Sequence, residues 1–235
     1  MVETGKFLLL SLLIYSIHAR RIPEFDKKPK FIGSISNITV ARGRDAVFTC
    51  AVENLSGYRL GWLKSDSKAV LSVHDRIVTH DRRVSVTQTD GITWNLIIKN
   101  VRPEDEGIYM CQINSTPQKN QTATLKVVVS PDFFNDKTYV NAIEYGQAKL
   151  TCRAKGVPEP RITWRREDGK PIILREPVGS AWNRKSHVTM VEEFHGEELK
   201  LARVSRIDTG AYMCIATNGI PPSVSKRYNL NVHCK

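Results

Sequence analysis

Past its first nineteen residues the chain has no apolar run long enough to cross a bilayer, which takes about twenty consecutive apolar residues, and no hydrophobic tail of the kind a lipid-anchor signal requires. Membrane association is therefore expected only through an anchor beyond this chain. There is no Gly-x-Ser-x-Gly elbow, no His-Glu-x-x-His pair, no glycine-rich phosphate loop and no cysteine and histidine cluster, and the six histidines are scattered. These are the constellations an active site requires, so no catalytic residue, cofactor or metal ligand is assigned and the chain reads as a non-enzyme. No Cys-x-x-Cys occurs, which argues against a redox motif or a zinc site. No block of five or six like charges occurs either, so the net charge of +11 reads as a solvated basic surface. A helical period in the hydrophobic pattern is missing, which excludes a helical bundle.

What is there begins with a leader. Lys6 opens a short polar start, an apolar run follows from Phe7 to Ile17, and the small residue Ala19 precedes Arg20 and Arg21. This pattern predicts a signal peptide over residues 1–19, with the mature chain starting near Arg20 and the protein outside the cell. Export removes nucleic acid as a partner and leaves acidic partners, sulfated glycans and anionic surfaces. It also permits disulfides, so the five cysteines are read first as bridges.

The 235 residues suffice for about two domains of roughly 100 to 200 residues each, and one pattern does occur twice. A cysteine is followed twelve positions later by tryptophan, then by Asp-x-Gly-x-Tyr-x-Cys. The first copy is Cys50, Trp62, Asp105, Gly107, Tyr109 and Cys111; the second is Cys152, Trp164, Asp208, Gly210, Tyr212 and Cys214. An immunoglobulin sandwich needs this set: an inter-sheet bridge, an indole packed on it, and a phenol that ties a loop corner. Alternating runs support strands with one buried face, among them Ala46, Phe48 and Cys50, then Trp94, Leu96 and Ile98, and in the second copy Ala148, Leu150 and Cys152. The predicted fold is all-β, with two tandem immunoglobulin-like β-sandwiches, the first V-like over residues 29–129 and the second I-set-like over residues 131–233. Pro131 has no amide proton for a strand ladder and marks the expected boundary.

Each bridge would close a loop of about sixty residues, worth roughly 4 kcal/mol by chain entropy. Asp105 is expected to pair with Arg83, whereas no basic partner can be assigned to Asp208. Cys234 is the odd cysteine, open to an intermolecular bridge, a free thiol or a shortened chain. Sequons start at Asn37, Asn54, Asn114 and Asn120, all in the first domain, and are expected to carry glycan where exposed.

With Trp62 inward, Leu63 points out; with Tyr109 and Cys111 inward, Met110 and Gln112 point out. Outward leucine and methionine on one sheet mark an interface rather than a solvated surface. Val70, Ser72 and Val78 are expected to widen the patch. The competing reading is a secreted basic glycan-binding module using Arg161, Arg165, Arg166 and Lys170, or a soluble decoy that keeps the same face.

The segments GWLKSDSKAV from Gly61 to Val70, TWNLII from Thr93 to Ile98, YMCQIN from Tyr109 to Asn114, WRREDG from Trp164 to Gly169 and NGIPPSVSK from Asn218 to Lys226 resemble the arthropod Dpr-interacting proteins (DIPs), a family of immunoglobulin-superfamily neuronal cell-surface proteins. The resemblance runs from about Pro29 to Val232; a more distant likeness extends to lachesin and the IgLON adhesion proteins. It implies a cell-surface recognition protein whose first domain docks on a Dpr-type partner, or on a second copy of itself, in neuronal wiring and synaptic partner choice. It implies further that Leu63, Val70, Val78, Met110 and Gln112 lie in the contact region. Family members have three immunoglobulin domains, many with a glycolipid anchor signal, whereas this chain stops at Lys235. The family's Asn-Thr-Asp-Pro after the Cys-Gln pair is replaced here by a sequon at Asn114 followed by Pro117.

Overall fold

The computed structural model describes residues 28–175 and 188–234; the leader expected over residues 1–19 lies outside them. The first half holds ten strands: β1 Lys30–Phe31, β2 Ile38–Ala41, β3 Ala46–Glu53, β4 Leu60–Lys64, β5 Ala69–Val73, β6 Arg76–Ile77, β7 Val84–Thr89, β8 Thr93–Ile98, β9 Gly107–Ile113 and β10 Lys119–Phe133. The second half holds β11 Tyr139–Ile143, β12 Gln147–Thr151, β13 Ala154–Val157, β14 Arg161–Arg166, β15 Ile172–Arg175, β16 Val188–Val191, β17 Phe194–His195, β18 Glu198–Ala202, β19 Gly210–Thr217 and β20 Val224–His233.

In the first sandwich one sheet runs β1-β3-β8-β7 and the other β10-β9-β4-β5-β6, with β2 added parallel to β10. The strands form because apolar residues recur at every second position, so one face of each is buried. Strand β8 shows this cleanly: Trp94, Leu96 and Ile98 are buried while Thr93, Asn95 and Ile97 are not. The second sandwich stacks the sheet β11-β20-β19-β14-β17 against β12 and β18. Its core gathers around Trp164, Leu150, Leu199, Tyr212 and Tyr228. The first core gathers around Phe48, Trp62, Trp94, Tyr109 and Leu125.

Both predicted bridges are present, Cys50 to Cys111 and Cys152 to Cys214, each joining Cα atoms 6.5 Å apart. The Tyr109 hydroxyl donates to the Asp105 carbonyl at 2.7 Å, and the Tyr212 hydroxyl to the Asp208 carbonyl at 2.8 Å, so both phenols tie the corner before their strand. Burial pushes the Tyr109 phenol well above its ordinary range.

Two sequence expectations need correction here. Pro131 does not end a strand: β10 runs on to Phe133, and its tail pairs with β13 of the second half, with a register shift between Val129 and Asp132. The missing amide proton falls inside that irregularity, where no ladder bond is needed. The Asn218 amide bridges the same region, donating to the Val129 carbonyl at 2.8 Å and the Pro158 carbonyl at 2.7 Å. Asp208 does have a basic partner, Arg175 on β15, whose Nη1 lies 2.7 Å from Oδ2.

Candidate functional site

The sheet β10-β9-β4-β5-β6 presents its inner face to the core and its outer face to solvent, and the strand register fixes which side chains share that outer face. Thr122 stands opposite Met110, Met110 opposite Leu63, and Leu63 opposite Val70. The next row is Asn120, Gln112, Gly61 and Val73. Met110, Gln112 and Leu63 are half-buried, and Val70 is 41% exposed. Val73 and Ile108 are exposed on this face as well; at the β6 edge Arg76 stands opposite Val73 and Ile77 opposite the buried Ser72, with Ile77 and Val78 exposed along that edge. In the second row Gly61 puts no side chain between Gln112 and Val73.

Ser72, expected on this face, is instead fully buried and is withdrawn from it. The reason is a bulge: the β4 and β5 register shifts between Trp62 and Leu63, so Trp62 pairs with Ser72 while Leu63 pairs with Val70. Leu71 and Ser72 therefore both turn inward, and strict alternation fails for one residue. The same bulge brings Val73 outward, which alternation from Val70 does not foresee. Ile108, by contrast, shares the parity of Met110 and Gln112 and was open to detection by alternation alone.

A half-buried apolar face held on three paired strands and stiffened by the disulfide behind Cys111 can act by being covered. Drying Leu63, Met110 and Val70 against another apolar surface yields about 25 cal/mol per Å² of apolar area removed from water, and the sheet needs no rearrangement to present them.

At the base of the same sandwich, Arg83 grips Asp105 with two prongs, Nη1 to Oδ2 at 2.6 Å and Nη2 to Oδ1 at 2.8 Å, and reaches Asp81 at 2.7 Å. Burial alone would raise the Asp105 carboxyl, but the hydrogen bonds from Arg83 and from the Arg102 amide outweigh it and hold the carboxyl below its ordinary value. This is the pairing expected from sequence, and it fixes the corner that aims β9.

The basic residues of the second half differ in burial and in partners. Arg166 is buried, its Nε 2.9 Å from Asp168 Oδ1 and its Nη2 2.7 Å from Oδ2, so it does not belong to the surface expected for it. Lys170 Nζ lies 3.4 Å from the same carboxylate, and Arg165 is paired with Glu193. Three of the four cations thus face carboxylates of this chain. Asn37, Asn54, Asn114 and Asn120 are all exposed. Cys234 is exposed and unbridged, with Arg206 Nη2 2.7 Å from its sulfur.

Residues 29–129 match the immunoglobulin I-set domain and residues 117–218 match an immunoglobulin domain. A crystal structure of DIP-gamma IG1+IG2 is 44% identical with a TM-score of 0.75, covering 88% of this chain and 99% of that one. One of Dpr2 Ig1-Ig2 in complex with DIP-Theta Ig1-Ig3 is 41% identical with a TM-score of 0.67, covering 88% of this chain and 67% of that one. Lachesin of Drosophila melanogaster is 32% identical over 234 residues, 96% of this chain and 58% of the relative. Limbic system-associated membrane protein of Rattus norvegicus is 30% identical over 200 residues, 84% of this chain and 52% of the relative. The chain thus spans little more than half the length of these curated relatives.

Proposed function

The chain belongs to the DIP family of immunoglobulin-domain proteins, and on that premise we propose that it is an extracellular recognition protein whose first domain docks, through the outer face of β4, β5 and β9, on a Dpr-type immunoglobulin domain or on a second copy of itself. The observation that carries this reading is the apolar row Met110, Leu63 and Val70, set side by side by the strand register, with Met110 and Leu63 half-buried and Val70 exposed. Adjacent strands lie about 4.8 Å apart, so the row forms a compact patch of the kind that supplies an interface core, with Gln112 at its rim. The solved complex of Dpr11 IG1 with DIP-gamma supports a partner of the same fold. On this reading the biological setting is neuronal wiring and the choice of synaptic partners, with the protein held at the cell surface.

Binding energy at such a face concentrates in a few central residues, and a charge dried without a partner costs several kcal/mol. Val70→Asp, whose side chain is exposed in the free domain, should leave the fold intact by circular dichroism. It should weaken binding to Dpr-type first domains, or self-association, by about a hundredfold, since each 1.4 kcal/mol is tenfold. Unchanged affinity in a folded variant would reject this face.

A further inference from the structure

We propose that the cleft between the two sandwiches is a binding site for a sulfated polysaccharide, with Arg42, Arg44 and Lys155 as the groups that hold its sulfate esters. The proposal concerns the junction at the base of the first domain and does not depend on the docking face of β4, β5 and β9.

The cleft has a volume of about 790 Å³. Sites that enclose a small ligand span about 300–1,000 Å³, so there is room for a stretch of sugar chain and not only for a single ion. Arg42 and Arg44 come to it from the turn between β2 and β3 of the first sandwich, and Lys155 from β13 of the second. The turn is held by its own backbone: the Arg42 amide donates to the Val128 carbonyl at 2.8 Å, the Arg44 amide to the Ala41 carbonyl at 3.0 Å, and the Val101 amide to the Arg44 carbonyl at 2.8 Å. Gly43, with a φ of +86°, reverses the chain between the two arginines. The other wall is tied to the first by the pairing of Val129 with Val157 and of Asp132 with Lys155. Gly156 makes that approach possible, since a Cβ there would stand 2.9 Å from Asn218 Nδ2 and 3.1 Å from the Val129 carbonyl oxygen. The walls are thus set before any ligand arrives, and a preorganised site loses little freedom on binding.

Charge selects the ligand. Arg42 and Arg44 are exposed, and among the described residues neither side chain meets a carboxylate, whereas Arg83, Arg166 and Arg175 are each clasped by one. Asp45, next to Arg44, instead accepts from the Asn100 amide at 2.9 Å. Among the described residues Asp132 is the one carboxylate lining the cleft; it lies 3.7 Å from Lys155 Nζ with both side chains well exposed, a pair of little strength. Three cations against one carboxylate leave the cleft cationic, and guanidinium groups present N–H forks that match an oxyanion. Arg165, Arg166 and Lys170, by contrast, already face carboxylates of this chain. A flat lipid surface cannot enter a concave cleft, whereas a flexible sulfated chain can, and Val157, Ile220 and Pro221 on the cleft lining offer apolar contact for the C–H faces of sugar rings.

The test passes the chain, secreted from insect cells, over immobilised heparin at about 0.15 M salt, where long-range attraction is screened. Arg42→Glu/Arg44→Glu is compared with Arg82→Glu/Arg161→Glu, which reverses two other exposed arginines and changes the net charge equally. The first variant should lose about a hundredfold in affinity, two charge-assisted contacts being removed, while the second stays within about threefold of the parent. Hyaluronan, an unsulfated polyanion, should bind far more weakly than heparin. Lysine acetylation read by mass spectrometry should show Lys155 protected by heparin and Lys170 unprotected, a readout that needs no variant and decides the matter even where the double reversal fails to fold. No binding of heparin, equal losses in the two variants, hyaluronan binding as tight as heparin binding, an unprotected Lys155, or capture by phosphatidylserine vesicles in place of heparin would each overturn the proposal. Val70→Asp should bind heparin like the parent, so failure of the docking face and failure of this cleft are read separately.

Discussion

Arg175 on β15 closes on Asp208 in the corner before β19 with two hydrogen bonds, Nη1 to Oδ2 at 2.7 Å and Nη2 to Oδ1 at 3.3 Å. The second sandwich therefore repeats the clasp that Arg83 and Asp105 make in the first, from a different strand context. Asp208 is almost fully buried and also accepts from the Ser205 amide at 2.7 Å. Removing the cation would leave a buried carboxylate short of its main partner. Breaking such a pair typically costs about 3–5 kcal/mol. Arg175→Ala should lower the unfolding free energy of the second domain by an amount in that range, read from urea titrations followed by tryptophan fluorescence. A loss below about 1 kcal/mol, the value of an exposed pair, would show that the clasp is not structural.

The Asp81 and Asp105 carboxyls both face Arg83 and titrate below their ordinary value of 3.8; burial opposes the shift, and hydrogen bonds to Arg83 drive it. Because the folded-state value is the lower one, their ionised forms stabilise the fold above the unfolded value, and that stability is lost as pH falls through the folded values. The first domain should thus lose stability as pH drops below about 4, and Arg83→Met should flatten that part of the profile. Melting temperatures measured at half-unit steps from pH 5 to pH 2 check this; parallel curves for the two proteins would contradict it.

Ser72 is buried, and among the described residues its hydroxyl has no hydrogen-bond partner. An unsatisfied hydroxyl contributes nothing that alanine would lose. Ser72→Ala should leave partner affinity unchanged and hold or raise stability by up to about 1 kcal/mol. A large loss of binding would return Ser72 to the docking face and contradict the bulge.

Much of the architecture was legible from spacing. The repeated cysteine, tryptophan and tyrosine positions identify both sandwiches because each residue answers a demand of the fold: a bridge between sheets, an indole against it, a tied corner. The pairing of Asp105 with Arg83 could be anticipated because the arginine immediately precedes β7. Arg175 could not, since it lies 33 positions before Asp208 at the end of a short strand and no motif marks it. Leu63, Met110 and Gln112 follow from the pleat. Ser72 and Val73 do not, because a one-residue bulge reverses parity without a signature in composition. Pro131 misled for a related reason: a missing amide proton interrupts a ladder only where a ladder bond is due, and the register shift beside it removes that requirement.

The most direct test places one aspartate on each sheet of the first domain. Val70 on β5 and Val47 on β3 are similarly exposed, at 41% and 46%, but belong to opposite faces of the sandwich. With both variants folded, surface plasmon resonance against Dpr-type first domains should show Val70→Asp losing about a hundredfold in affinity, since a buried unpaired charge costs several kcal/mol, while Val47→Asp binds like the parent. Equal losses, or a loss confined to Val47→Asp, would contradict docking through the outer face of β4, β5 and β9.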